Sequence, residues 1–172
     1  MANPLYDRLF GAHSGKTTPF LHLPDGRVLT HQDFLERIAQ IAHVLTQRGL
    51  TPGDRVAVQV EKSPEALALY GACVQAGLIF LPLNTAYTAD ELSYFIENSG
   101  ASLVVCDSKS KTMLAPIATQ LDASLETLNA DGTGTLTWSA FHAAVREGAE
   151  WLLTHMPENV NDGLAGSAPR PV

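Results

Sequence analysis

Apolar positions along the chain recur with two periods. Between residues 31 and 47, Phe34, Ile38, Ile41 and Leu45 follow at spacings of four, three and four. That rhythm places them on one buried stripe of a helix running from His31 to about Gln47. Thr30 stands before it as an N-cap. Gly49 follows where a left-handed C′ residue is wanted, with Leu50 set to touch Leu45 as in a Schellman motif. The stretch Arg55–Val60 alternates instead, which is the period of a strand.

The same two periods repeat downstream. Ser63 caps a second helix, Glu65–Ala76, with Pro64 at its first position, where a missing amide costs nothing. This helix is apolar almost all round, so it is expected to be buried on most sides. Gly77 ends it, and a strand Leu78–Leu81 follows, stopped by Pro82. Thr88 and Glu91 form a capping box, with Tyr87 and Leu92 placed as a hydrophobic staple. Leu92, Phe95 and Ile96 are the stripe of that third helix, which Gly100 closes. Ser102–Cys106 is a continuous apolar run, the type buried on both faces of a parallel sheet. A weaker helix carries Leu114, Ile117, Ala118 and Leu121, with Pro116 starting or kinking it, and Ser124–Leu128 reads as one more strand.

At the N-terminus, Leu5, Leu9 and Phe10 predict a short helix. Phe20–Leu23 and Val28–Thr30 flank Asp25-Gly26 as a hairpin. Residues 129–135 are turn-like, Trp138–Glu147 predicts a helix burying Phe141, Ala144 and Val145, and beyond Met156 no apolar period remains. That last stretch reads as a disordered tail. Helices alternating with short apolar strands predict an α/β fold, a doubly wound and mostly parallel sheet with flanking helices.

Composition narrows the partners. With 172 residues, 45% hydrophobic and 17% charged, the chain is long enough for one domain with a core. A net charge of −7 with only 11 scattered basic residues argues against nucleic acid or an anionic membrane. No charged start with an apolar run after it marks a signal peptide, and runs such as Gly77–Leu83 are too short to cross a bilayer. A cytoplasmic location is expected. Cys73 and Cys106 sit inside apolar stretches and read as buried free thiols.

Candidate chemistry is sparse. Gly15-Lys16-Thr17 looks like the end of a phosphate-binding P-loop, but that motif needs a glycine at position 10, where Phe10 stands, and a strand before it. A plain loop is the better reading. Residues 131–135, Asp-Gly-Thr-Gly-Thr, are ordinary turn chemistry with no lysine close behind. The six histidines, His13, His22, His31, His43, His142 and His155, form no metal-ligand pattern. His31 and His43 are expected on solvated surface. Glu61-Lys62 and Asn84 with Tyr87 each follow a strand, and ligands of open α/β sheets bind outside the carboxyl ends of strands. Solvation of the charged pair and a loop hydrogen bond from Asn84 are the simpler readings.

One group of motifs carries more. Residues 49–57 read GLTPGDRVA, Ala76-Gly77 ends the next helix, Pro82-Leu83-Asn84 forms a turn, and residues 91–96 read ELSYFI. In that order and spacing they resemble the N-terminal subdomain of the adenylate-forming acyl-CoA synthetases, the AMP-dependent synthetase/ligase superfamily. Glu61-Lys62-Ser63 together with residues 81–96, LPLNTAYTADELSYFI, is most similar to the malonyl-CoA synthetases. The resemblance covers about Leu5 to Gly148. It implies a truncated adenylate-forming fold, with residues 1–148 as the N-terminal part of the ligase domain and 149–172 as a divergent tail.

For the complete family enzyme it implies activation of malonate or a similar short acid by ATP and magnesium. An acyl-adenylate forms with release of pyrophosphate, and the acyl group then passes to the thiol of CoA. The phosphate loop, the nucleotide- and metal-holding segment and the catalytic lysine of that family lie downstream of the matched part. The expectation is therefore no catalytic, cofactor-binding or metal residue in this chain, and no activity from it alone. Two other readings stand beside it: a non-catalytic interaction module that self-associates through an exposed sheet edge, and a small nucleotide-binding domain.

Overall fold

The computed structural model of the chain describes residues 3–136. The helix expected at Trp138–Glu147, His142, His155, the boundary at Gly148 and the tail all lie outside the described residues.

Helix α1 (Pro4–Leu9) is capped by Asn3, whose side chain accepts from the Tyr6 amide and donates to the Val74 carbonyl. Its Leu5 and Leu9 are exposed, while Phe10 at its end turns into the core. A 3-10 turn, Gly11–His13, leads to a hairpin of β1 (Pro19–His22) and β2 (Val28–Thr30), paired antiparallel with a register shift between Pro19 and Leu21. Helix α2 (His31–Gln47) starts with a capping box of Thr30 and Asp33. It ends as a Schellman motif: the Leu50 amide donates to the Leu45 carbonyl and the Gly49 amide to that of Thr46.

The sheet is four-stranded, ordered β4-β3-β5-β6, and every pair is parallel. Its strands are β3 (Arg55–Gln59), β4 (Ile79–Pro82), β5 (Leu103–Cys106) and β6 (Ser124–Thr127). Between them run α3 (Pro64–Ala76), α4 (Ala89–Ser99) and α5 (Lys111–Gln120). The chain goes from β3 out to β4, then returns past β3 to β5 and β6. The winding therefore reverses beside β3. Alternate strand residues feed two cores. Val56, Val58, Leu103, Val105 and Leu128 pack with α2 and α3 on one face, and Ala57, Val104 and Cys106 pack with Leu92, Ile96, Leu114 and Ala118 on the other.

Two expectations shift in detail, and one position has an unusual backbone. β4 runs through Pro82 rather than stopping before it: β4 is an edge strand, Pro82 stands in register with Val58, and the next amide, that of Leu83, donates to the Val58 carbonyl at 2.8 Å, so the ladder needs no amide from the proline. Pro116 lies in the middle of α5 rather than starting it, and Ser110 offers that helix no side-chain cap. Asp122, after α5, takes a φ of 55°, a left-handed position filled without glycine.

Beyond β6 the chain folds back on itself. The Thr127 amide donates to Thr135 Oγ1 at 2.8 Å, the Thr135 amide donates to Thr127 Oγ1 at 3.0 Å, and the Leu136 amide donates to the Thr127 carbonyl at 3.0 Å. Leu136 ends fully buried. Gly134, with φ of 133°, lies so near the Thr127 carbonyl that a Cβ would strike it.

Candidate functional site

The carboxyl ends of β3 and β4 open into a groove of about 710 Å³ lined by Val60, Glu61, Lys62, Pro82, Leu83, Asn84, Thr85 and Tyr87. The structure thus brings together the two strand-end pairs singled out in the sequence, Glu61-Lys62 on one wall and Asn84 with Tyr87 on the other. Each is positioned by a helix start. Glu61 and Lys62 are exposed and precede Ser63, whose Oγ accepts the Ala66 amide at 3.1 Å and caps α3. Asn84 Oδ1 accepts the Ala86 amide at 2.9 Å, and the Asn84 carbonyl accepts the Tyr87 amide at 3.1 Å. The Tyr87 ring stacks on Phe95 with centroids 5.1 Å apart, and Thr88 with Glu91 closes the capping box of α4. Asn84 is indeed a loop hydrogen-bonder.

A second cleft of about 520 Å³ lies between the hairpin, α2, the start of α3 and residues 130–132. Two ion pairs lie within it, Arg37 with Glu65 at 2.5 Å and Arg27 with Asp25 at 2.6 Å.

The phosphate-loop lookalike is spent on its own neighbourhood. The Gly15 amide donates to Gln32 Oε1 at 2.9 Å, and Lys16 Nζ lies 3.1 Å from His13 Nδ1. No strand runs into it. Residues 131–133 are a turn in which Asp131 Oδ1 accepts both the amide and the hydroxyl of Thr133, and those bonds hold its carboxyl below the usual range.

His43 is exposed as expected. His31 is only partly so: it stacks on His13 at 4.8 Å between ring centres and meets Phe20 at 4.9 Å. Helical spacing alone could not foretell it, because the contact comes from the preceding loop. Partial desolvation, then the Lys16 ammonium and His31, hold His13 below its ordinary value. Among the described residues no three His, Cys, Asp or Glu side chains gather to hold a metal. Cys73 and Cys106 are free and buried, and burial pushes their thiols up to about 12 and about 11.

Two buried polar side chains went unmarked in the sequence. Glu126 in β6 pairs with Arg48 at 2.9 Å, joining the end of α2 to the sheet. Gln59, at the end of β3, is 1% exposed and bonds the Asn84 carbonyl. Their signal was a polar residue inside an apolar strand.

Compared with known proteins, the chain matches the AMP-binding enzyme family over residues 11–162. It is 32% identical over 134 residues to the fatty acid–[acyl-carrier-protein] ligase ScoC of Streptomyces coeruleorubidus, covering 77% of this chain and 25% of that protein. A feruloyl-CoA synthase of Amycolatopsis is 39% identical over 80 residues, 46% of this chain and 16% of that one. Among solved structures, apo MatB from Rhodopseudomonas palustris aligns with a TM-score of 0.76 at 43% identity, covering 82% of this chain and 28% of that one. ATP-bound MatB from the same organism aligns equally well. The chain therefore spans about a quarter of the length of ScoC and of MatB.

Proposed function

The chain belongs to the AMP-binding enzyme family, and from that premise we propose that it is the N-terminal part of an acid–CoA ligase and turns over no substrate by itself. The complete enzyme would join malonate or a similar short acid to CoA through an acyl-adenylate, using ATP and magnesium and releasing AMP and pyrophosphate. The similarity to MatB supports that class, and the malonyl-CoA synthetase resemblance of residues 81–96 supports the acid. In this reading no residue of the chain is catalytic, cofactor-binding or metal-binding. Residues 1–148 belong to the ligase domain, 149–172 form a divergent tail, and the protein works in the cytoplasm. No helix among the described residues is long and apolar enough to cross a membrane.

The observation that carries the reading is the state of the phosphate-loop lookalike. A transferring phosphoryl group needs pre-placed amides and cations around its oxygens. Here the Gly15 amide is engaged by Gln32, and Lys16 by His13. The Gly15 amide and the Lys16 ammonium are thus taken up within their own neighbourhood, which supports reading this segment as a plain loop and not a phosphate site. Purified chain given malonate, ATP, magnesium and CoA is expected to release no pyrophosphate above a protein-free control. Malonate-dependent release would overturn the reading.

The groove at the strand ends favours a second reading, a nucleotide-binding module. Titration calorimetry with ATP, AMP and CoA separates the two, since the fragment reading expects no heat. Self-association through the β4 edge, where Ile79 is 51% exposed, belongs to the interaction-module reading. A clean monomer on size-exclusion chromatography removes it.

A further inference from the structure

Gln59 ends the strand that pairs with both β4 and β5, and its side chain is enclosed. By strand alternation it lies on the face of Ala57, opposite Cys106 in register. Its Nε2 donates to the Asn84 carbonyl at 3.0 Å, the same oxygen that accepts the Tyr87 amide at 3.1 Å. Its Oε1 is buried with no hydrogen-bond partner. An unpaired buried acceptor lowers stability, and an apolar side chain of similar shape would avoid that loss. The carboxamide is thus a poor choice for the core and a good one for the turn it reaches.

We infer that Gln59 is a positioning residue, fixing the Asn84–Tyr87 turn, and with it the polar wall of the strand-end groove, through one donor at the Asn84 carbonyl. Without that donor the turn keeps only its internal bonds, from the Ala86 amide to Asn84 Oδ1 and from the Tyr87 amide to the Asn84 carbonyl. The wall of Asn84, Thr85 and Tyr87 is then tied to β3 only through the preceding residue, Leu83, whose amide donates to the Val58 carbonyl at 2.8 Å, while Glu61 and Lys62 stand just beyond the end of β3. The assignment holds whichever ligand the groove takes. It does not depend on whether the chain is a ligase fragment.

Two variants of the intact chain test it, read by hydrogen exchange of the Tyr87 amide after division by the intrinsic rate at each pH. Gln59→Met removes the donor and the orphan acceptor together while keeping volume. Tyr87 exchange is expected to rise roughly fivefold, the factor carried by one neutral hydrogen bond, with no fall in the thermal midpoint. Gln59→Glu presents a carboxyl that only accepts once ionised, and enclosure raises its pKa, so Tyr87 exchange is expected to rise as pH is taken above that raised value. Acid protonates it and restores a donor, and Tyr87 protection is expected to return. Cys106 opposite stays a neutral thiol throughout, its value raised to about 11.

Unchanged Tyr87 exchange in Gln59→Met overturns the inference. Equal acceleration at Val104 and Val105 of β5 also overturns it, since Gln59 would then merely support the core. If Gln59→Glu fails to fold at neutral pH, Gln59→Met alone decides between these outcomes.

Discussion

On one face of the sheet, α2 and α3 press against each other as well as against the strands. Ile38 and Leu45 of α2 are fully buried, and Gly71 of α3 lies where any Cβ would meet the Ile38 side chain. On the other face, α4 buries only Leu92 and Ile96 and α5 only Leu114 and Ala118. There the helices are fixed at their ends, by the Thr88–Glu91 box and the Gly100 cap of α4 and by the Asp107 carboxylate accepting the Ser110 amide before α5. Both faces carry helix caps, and the α2–α3 face adds to them an interlock of side chains between its helices. Mutations of the two kinds should therefore separate the faces.

The largest effect is expected from Gly71→Val. Two methyl-bearing branches must enter the gap that Ile38 fills, and overpacking of this kind costs about 3 kcal/mol. Denaturant unfolding measures it, and a loss under about 1 kcal/mol would mean that the α2–α3 spacing does not hold that face. A smaller effect is expected from Thr88→Ala, about 1 kcal/mol for a lost N-cap. Its signature is local: amides of α4 should exchange faster before the rest of the chain unfolds. Thr30→Ala removes the same kind of bond from α2, whose buried stripe should keep that helix closed until global unfolding. Equal local opening in both would erase the contrast.

The smallest effect concerns acid. Bonds from the backbone amide and then the hydroxyl of Thr30 hold Asp33 below its ordinary 3.8, and those of Thr88 hold Glu91 below 4.5. A carboxyl lowered in the folded state adds stability that is complete above its unfolded value and lost as pH falls through the folded one. Thermal midpoints should therefore decline as pH drops below about 4.5, and Glu91→Gln should flatten part of that slope. An unchanged slope would show that the box does not titrate with folding.

These contrasts also mark where the sequence was legible. Helix α2 appears with the bounds its spacing predicted, and the Schellman end, the Ser63 and Thr88 caps and the hairpin turn all stand where their residues placed them. Each is written locally, in a few adjacent side chains. Pro116 left two readings open, a helix start or a kink, and its place inside α5, between the buried Leu114 and Ala118, removes the first. The strand-end groove was half legible: Glu61-Lys62 and Asn84 with Tyr87 were visible as separate strand ends, but their meeting depends on β3 and β4 being neighbours. Gln59 and Glu126 stood out only as polar residues in apolar strands, and their partners, like the His13–His31 stack, were hidden for the same reason, as each lies across the fold.

The return of residues 135 and 136 onto Thr127 has a consequence for how copies of this protein could meet. In a parallel ladder alternate residues face outward, so β6 would offer a newcomer the main-chain groups of Leu125 and Thr127. Those of Thr127 are already taken by its own chain. That side is therefore partly blocked to strand addition, whereas β4 has no strand on its outer side among the described residues. Two molecules meeting edge to edge along this sheet are therefore expected to use the β4 border before the β6 one.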